Sequence, residues 1–451
     1  MARFSPIVRA FLRDARSQTR IVLAWELPTI MRKHIATGAM GTLYFALLSG
    51  IYLVAFGNAI GLEYWQWGLL SSLSYVVLVL QLNSAYIVRR TGYRKSIWFL
   101  SALGARLLRA LAVVLAFFLF GRSKSLACTV FIVLIVFSNS LDAICAPPWL
   151  SWLADIIPRD SHGRFMGRRS SWIAFANVCT VVPIGYLMDR YGGNGSLTAL
   201  MLVFAFGSVV GISDLFIHRT IPEPRMVRPP KKSFWQELAI PLKDRAFRPW
   251  LIFNALWMFS TTLGGALATI YIVENLGIRQ NFFGGSLVLI LTPLLASIVC
   301  ARWIGRMIDR HGVKPVLWWG HRMWATLPLF WLVATRSNAM VWLCLGSLVG
   351  GIGSEAGLMA ANKLVTRLRS PDHVPMYSAA SACVGAIAGA IGPILAGLVL
   401  NYYKGTSWTI GGFVIGGFHI TFAASLALRH LSTIAIHWIQ EPEAAAGRPS
   451  S

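Results

Sequence analysis

Two carboxylates lie where an apolar chain has least use for them. Asp142 sits in the run Ser140-Leu141-Asp142-Ala143 and Glu355 in Gly353-Ser354-Glu355-Ala356, each inside a long hydrophobic stretch. A charge at the centre of a membrane helix costs about 2.5–3.5 kcal/mol on insertion scales, so acids at such positions are candidates for function before packing. Facing a cavity, they could bind cations, exchange protons or meet a cationic group of a solute. Locked to a base, they would fix helix packing and nothing more.

Bases are at hand. Arg106 and Arg109 share a helical face at i, i+3. Counted from Ser96, they lie about 15–20 Å along a helix at its usual rise. They could neutralise Asp142 or receive an anionic solute; Arg106 could instead snorkel to the surface. Asn254, Trp257 and Thr261 fall on one face at helical spacing. A ring beside hydrogen-bonding groups suits an organic solute of mixed polarity, and equally suits interhelical packing. His321, Arg322 and His419 are isolated. The six cysteines, Cys128, Cys145, Cys179, Cys300, Cys344 and Cys383, are widely spaced in apolar runs without a C-x-x-C pair or a matched His. They read as small buried hydrophobes, with no metal site and no cofactor implied.

The elements that must carry these residues follow from composition. The 451 residues are 56% hydrophobic and only 13% charged, where a soluble domain has roughly a quarter charged. A span needs about 20 apolar residues. That ruler finds six stretches near 38–60, 64–88, 96–120, 126–157, 169–190 and 197–217, and six more near 248–275, 282–305, 315–335, 339–367, 377–400 and 409–433. The expected architecture is an all-α membrane protein with twelve transmembrane helices in two six-helix bundles.

The net charge of +24 invites a nucleic-acid reading, and its distribution removes it. Thirty-one of the 41 Lys and Arg fall in the termini and alternate loops, with Arg169 and Arg429 counted among them. The opposite loops hold only Arg122, Lys124, Arg190, Arg279, Arg336 and Lys404. This positive-inside pattern places both termini in the cytoplasm. Residues 1–37 read as a basic, amphipathic surface segment over 5–33 with no cleavable signal, 38–218 as the first bundle, and 219–247, rich in Pro and basic residues, as a cytoplasmic linker. Residues 248–433 form the second bundle and 434–451 a tail.

The two halves repeat weakly. Arg89-Arg90-Thr91-Gly92-Tyr93-Arg94-Lys95 matches Asp309-Arg310-His311-Gly312-Val313-Lys314, and Gly185 to Tyr191 parallels Gly397 to Tyr403. The same spacing puts Asp142 and Glu355 at corresponding positions. In the second loop, Gly312 permits a sharp turn, and Asp309 can face helix N-termini. Arg310 and Lys314 can bridge to neighbouring helices or to lipid phosphates.

The run Gly305-Arg306-Met307-Ile308-Asp309-Arg310-His311-Gly312-Val313-Lys314 resembles the loop signature of the major facilitator superfamily, with Val313 at a usually basic place. The first-half copy is degenerate, Ala85 and Arg89 standing where Gly and Asp are usual. A second stretch, Pro148-Trp149-Leu150-Ser151-Trp152-Leu153-Ala154-Asp155 with Gly163 to Arg169, is similar to poorly characterised bacterial members. The resemblance implies a cavity open to one side at a time, and a gating role for Gly305, Asp309, Arg310, Gly312 and Lys314. It implies no substrate.

The expected function is a monomeric secondary transporter of the inner membrane, moving a small organic solute by alternating access with H+ as a candidate co-substrate. The alternative is a protein of the same fold that serves as a scaffold, assembly factor or receptor. No nucleophile with a base and no phosphate loop at motif spacing supports an enzyme.

Overall fold

The computed structural model describes residues 22–192, 196–224, 234–278, 281–367, 374–410 and 413–440. Most of the expected surface segment (residues 1–21), the centre of the linker (225–233) and the tail beyond 440 lie outside the described residues.

Ten helices among the described residues are long and apolar enough to cross a membrane, with mean hydropathy from 1.4 to 2.2 in their most apolar windows. In the first half they are Leu27–Ala59, Tyr64–Val88, Arg94–Phe120, Lys124–Leu153, Phe165–Tyr191 and Leu197–Arg219. In the second they are Arg248–Asn275, Phe282–His311, Ala339–Leu364 and Met376–Tyr402. The first begins at Leu27, well ahead of the stretch expected from 38, with Pro28 in its opening turn where no N–H is needed.

The two remaining stretches take other forms. The one expected at 315–335 is a helix Val313–Ala325 and a second, Leu327–Val333, restarted at Pro328, whose ring and missing N–H interrupt a continuous ladder. The one expected at 409–433 opens as an antiparallel hairpin, Ser407–Ile410 against Phe413–Gly416 with Thr409 opposite Val414, and becomes helical only over Gly417–Ser432. Thr409, Ile410, Val414 and Ile415 are β-branched, which favours the pleated form.

Contacts divide the chain into two compact units. The first holds Met1–Gln66, Val76–Lys231 and Gly277–Ser286; the second holds Trp67–Tyr75, Lys232–Leu276 and Leu287–Ser451. Within the first, Ile30, Trp98, Phe99, Trp152, Phe165 and Leu215 form a core. Asp189 accepts from the N–H groups of Phe282 (2.6 Å) and Phe283 (2.8 Å), a carboxylate on a helix start as the dipole favours. The second unit is built on Trp250, Phe253, Trp257, Ile304, Leu317 and Ala360. Its helices touch backbone to backbone: a Cβ on Gly320 would meet the Gly357 nitrogen at 2.7 Å, and one on Gly353 the Trp324 nitrogen at 2.6 Å.

The two repeat-related loops turn alike. Gly92 (φ +74°) and Gly312 (φ +89°) both adopt a left-handed φ, which only glycine takes without strain. Each loop then sends a base to the segment that ends its half. Arg94, with no exposed surface, pairs with Asp155 and donates to the carbonyls of Ser151 (3.1 Å) and Pro224 (2.7 Å). Its backbone N–H donates to Glu223 at 3.0 Å. Burial pushes the Glu223 carboxyl above its ordinary range, opposed by the N–H groups and charges of Arg94 and Lys95. Lys314 makes one comparable bond, to the His437 carbonyl at 2.9 Å.

Candidate functional site

Within the first unit, five helices enclose a cavity of about 290 Å³, at the small end of ligand pockets. Helix Leu27–Leu47 contributes Thr37, Gly38, Gly41, Thr42 and Phe45; helix Arg94–Phe120 contributes Trp98, Ala102 and Arg106. Asp142, Cys145 and Trp149 come from helix Lys124–Ile156, Arg169 from Arg159–Tyr191, and Asp214 and His218 from Leu197–Arg219.

Two buried ion pairs organise this space. Arg109 reaches Asp142 at 3.1 Å and also binds Asn139 at 2.5 Å and Ser138 at 3.3 Å. Arg106 reaches Asp214 at 2.8 Å and lies 5.0 Å over the ring of Tyr44. Both arginines are more than nine-tenths buried, so Arg106 faces inward and does not snorkel to the surface. Of the two bases proposed for Asp142, Arg109 is its partner, while Arg106 belongs to an acid the sequence reading passed over. Gly41 makes the second pair possible: a Cβ there would sit 3.1 Å from Asp214 Oδ2 and 3.7 Å from Arg106 Nη2.

A third guanidinium stands apart. Arg169 lies 5.0 Å over the ring of Trp149, and its Nε is buried without an acceptor. No described carboxylate lies within ion-pair distance of it. Gly38 gives it room, since a Cβ there would fall 2.6 Å from Nη2. Beside it, Thr37 bonds His218 Nδ1 at 2.9 Å, and the rings of His34 and His218 meet edge to face at 4.7 Å. Both nitrogens of the buried His34 lack a partner.

Glu355 has a different environment. Its carboxylate accepts from Ser297 Oγ at 2.6 Å, with no base at ion-pair distance among the described residues. The helix 248–270 set is structural. Trp257, 4% exposed, packs in the core against His321 (4.5 Å) and Trp324 (5.2 Å), so its ring offers no stacking face. Asn254 donates to the Ser381 carbonyl at 2.8 Å, which ties two helices together. The Thr261 hydroxyl bonds its own helix at Trp257, and its carbonyl accepts from Arg429 at 3.1 Å. The Asn254 amide nitrogen is thereby engaged between helices and the Thr261 hydroxyl within its own helix.

Arg429, counted among surface anchors from the sequence, is 2% exposed and is held by Ser425 (3.1 Å), the Thr261 carbonyl and the ring of Trp331. In the signature loop, Asp309 pairs with Lys363 at 2.5 Å, Gly312 makes the turn, and Lys314 takes the His437 carbonyl. Gly305 stands opposite Met359, and a Cβ there would lie 3.9 Å from Met359 Cε, an ordinary contact. Arg310 is exposed, the position of a residue directed at solvent or lipid phosphate.

Asp214, Arg169, His34 and His218 are the site residues the sequence reading missed. Asp214 had the same signal as Asp142, an acid inside the apolar stretch 197–217. Arg169 carried none, because it lies at the basic edge of a span.

The Major Facilitator Superfamily model matches residues 250–450. The tetracycline resistance protein, class B, of Escherichia coli is 34% identical over 119 residues, 26% of this chain and 27% of that protein, so the chain spans about a quarter of that relative's length. Among solved structures, the nucleoside transporter NupG superposes with a TM-score of 0.65 at 12% identity, over 91% of this chain and 98% of that one. A bacterial homologue of the human lysosomal transporter Spinster, inward-facing and unoccupied, gives 0.64 at 14% identity over 94% and 100%. A D-xylose–proton symporter gives 0.62 at 13% over 91% and 98%. These structures share its fold.

Proposed function

We propose that this chain, whose residues 250–450 match the Major Facilitator Superfamily model and whose fold is shared by solved transporters, moves a small organic solute across the inner membrane by alternating access, with both termini in the cytoplasm. The observation that carries this reading is the cavity in the first unit, roofed by ion pairs whose burial no scaffold needs. Exposing or burying such a pair changes its energy by several kcal/mol, so the cavity's state and its charge pattern are coupled.

Glu355 is the candidate proton carrier. Asp142 is neutralised by Arg109, whereas Glu355 answers only to a hydroxyl that can serve either protonation state. Asp309, Lys363 and Lys314 then act at the signature loop, where exposed bonds can break and reform as the fold moves.

Substrate identity is not needed for the first test. In a cysteine-free background, single cysteines at Thr42 and at Ala102 should each be labelled from either side of the membrane in a proportion that changes on imposing a pH gradient. One fixed accessibility pattern under all conditions would favour the scaffold reading. Gradient-driven uptake in proteoliposomes, lost in Glu355→Gln with unchanged membrane yield, would support proton coupling; full uptake in that variant removes it.

A further inference from the structure

We propose that the cavity of the first unit is an anion site, and that the solute is a small organic anion with an apolar body, its carboxylate or phosphate taken by Arg169. The proposal deepens the transport reading, and it depends on that reading only for the anion being cargo.

Charge bookkeeping carries it. Three guanidinium groups, of Arg106, Arg109 and Arg169, serve the cavity against two carboxylates, of Asp142 and Asp214. Both acids are already paired, at 3.1 Å to Arg109 and 2.8 Å to Arg106. With the imidazoles neutral, one positive charge is left over, and it sits on Arg169. A half-buried cation with no counter-charge lowers its energy by taking up an anion.

The unused donors point the same way. Arg169 Nε and Arg106 Nη1 are both buried without an acceptor, and both residues line the cavity. Arg106 is 7% exposed and its guanidinium lies over the Tyr44 ring, so its vacant N–H is covered and Arg169 is the group left to meet a solute. A guanidinium fork is the group that recognises a planar carboxylate or a phosphate through paired N–H donors. Trp98, Trp149 and Phe45 surround this polar spot with rings, which suits a solute whose remainder is aromatic or aliphatic. A cationic solute would compete with Arg106 and Arg109 for acids already in ion pairs, although Asp214 Oδ2 has no aligned hydrogen-bond donor.

Cys145 lines the same cavity and supplies the reporter. In a variant keeping only this cysteine, alkylthiolation rates with an anionic methanethiosulfonate (sulfonatoethyl) and a cationic one (trimethylammonioethyl) are compared, each taken relative to that reagent's rate with a small free thiol. The anionic reagent should react faster, by on the order of tenfold, equivalent to about 1.4 kcal/mol of favourable field. Arg169→Gln should abolish that preference. Arg169→Lys should retain it, and Gly38→Ala, which presses on the guanidinium, should reduce it without removing a charge. Benzoate, phenylacetate and hydrocinnamate should slow the labelling while their amides do not.

Equal rates for the two reagents in the parent, or amides protecting as well as acids, would overturn the proposal. Protection by phosphatidylglycerol vesicles but by none of the soluble carboxylates would also overturn it, giving the site to a lipid headgroup. Gradient-driven flux separates the two readings. Charge selectivity without flux of any labelled carboxylate leaves an anion receptor and ends transport; flux of neutral solutes without selectivity leaves transport and ends the anion class.

Discussion

The two units treat the same problem, charge inside a membrane, in opposite ways. At corresponding repeat positions stand Asp142 and Glu355. The first is gripped by Arg109, with Asn139 on the same guanidinium; the second is held by one hydroxyl, Ser297. Around Asp142 the first unit gathers a second pair, Arg106 with Asp214. Around Glu355 the second unit offers no base at ion-pair distance among the described residues, and its buried Arg429 is answered by carbonyls and Ser425. Paired charges fix geometry and hold their protonation state; a lone acid with a hydroxyl partner can change it at little structural cost. The proposed division is thereby recognition in the first unit and proton exchange at Glu355 in the second.

The largest expected effect lies in the first unit. Asp214→Leu leaves Arg106 buried with no counter-charge, and breaking a buried pair from one side costs roughly 3–5 kcal/mol. Thermal unfolding of the detergent-purified protein should show a steep loss. The double variant Arg106→Met, Asp214→Leu should recover most of it, since an apolar pair of similar volume often matches a buried ion pair. A double variant as unstable as the single would mean the loss comes from packing and not from the orphaned charge.

Second in size is the contrast between the two loop bases. Arg94 is fully buried against the buried Glu223, the half-exposed Asp155 and the Pro224 carbonyl, while Lys314 is half-buried and donates to the His437 carbonyl. Arg94→Met should cost about 3 kcal/mol or more by orphaning Glu223. Lys314→Met should cost less, since it leaves no buried acid without its counter-charge. Similar losses at both positions would show that the repeat's two loops are energetically equivalent.

The sequence made this contrast only half legible. Hydropathy sees depth in windows, so its twelve stretches include all ten long apolar helices and both repeat acids, yet it filed Arg169 and Arg429 with the surface anchors because each lies near a basic edge. Depth along a helix does not say which way a side chain points. Asp214 was readable as an acid in an apolar run, but nothing in the spacing tied it to Arg106, more than a hundred residues earlier. Asn254, Trp257 and Thr261 do share a face. Which neighbour covers that face is a tertiary fact, and helix packing against Ser381, His321 and Arg429 decided it. The hairpin at 407–416 was hidden for a different reason: β-branched apolar residues score as membrane helix on any hydropathy scale, and only their alternation about a turn signals strands.

A smaller effect separates the two repeat acids. Asp142→Asn should destabilise by about 1–3 kcal/mol, the range for hydrogen bonds to a charged partner, because Arg109 loses its counter-ion. Glu355→Gln should leave unfolding nearly unchanged, since the amide oxygen can still accept from Ser297. Its effect belongs in the pH dependence of uptake, which should flatten. Equal destabilisation by the two changes would remove the distinction between a fixed charge and an exchangeable one.

The smallest effect on stability is expected at the signature loop, and there its smallness is informative. Asp309 is 68% exposed in its side chain and Lys363 32%, and pairs of that kind contribute about 0–1 kcal/mol because water competes and long side chains lose freedom. Asp309→Asn should therefore leave the melting temperature within error and the yield intact. A bond that weak can still govern a motion, since breaking it is a step any rearrangement of this end must take, and about 1.4 kcal/mol is a tenfold change in a rate or a population. Labelling of a cysteine at Thr42 should shift between the two sides in Asp309→Asn, with a matching shift in Lys363→Gln and none beyond it in the double variant. Accessibility unchanged in all three would reduce the pair to a surface anchor and leave the signature loop's turn, set by Gly312, as its only structural contribution.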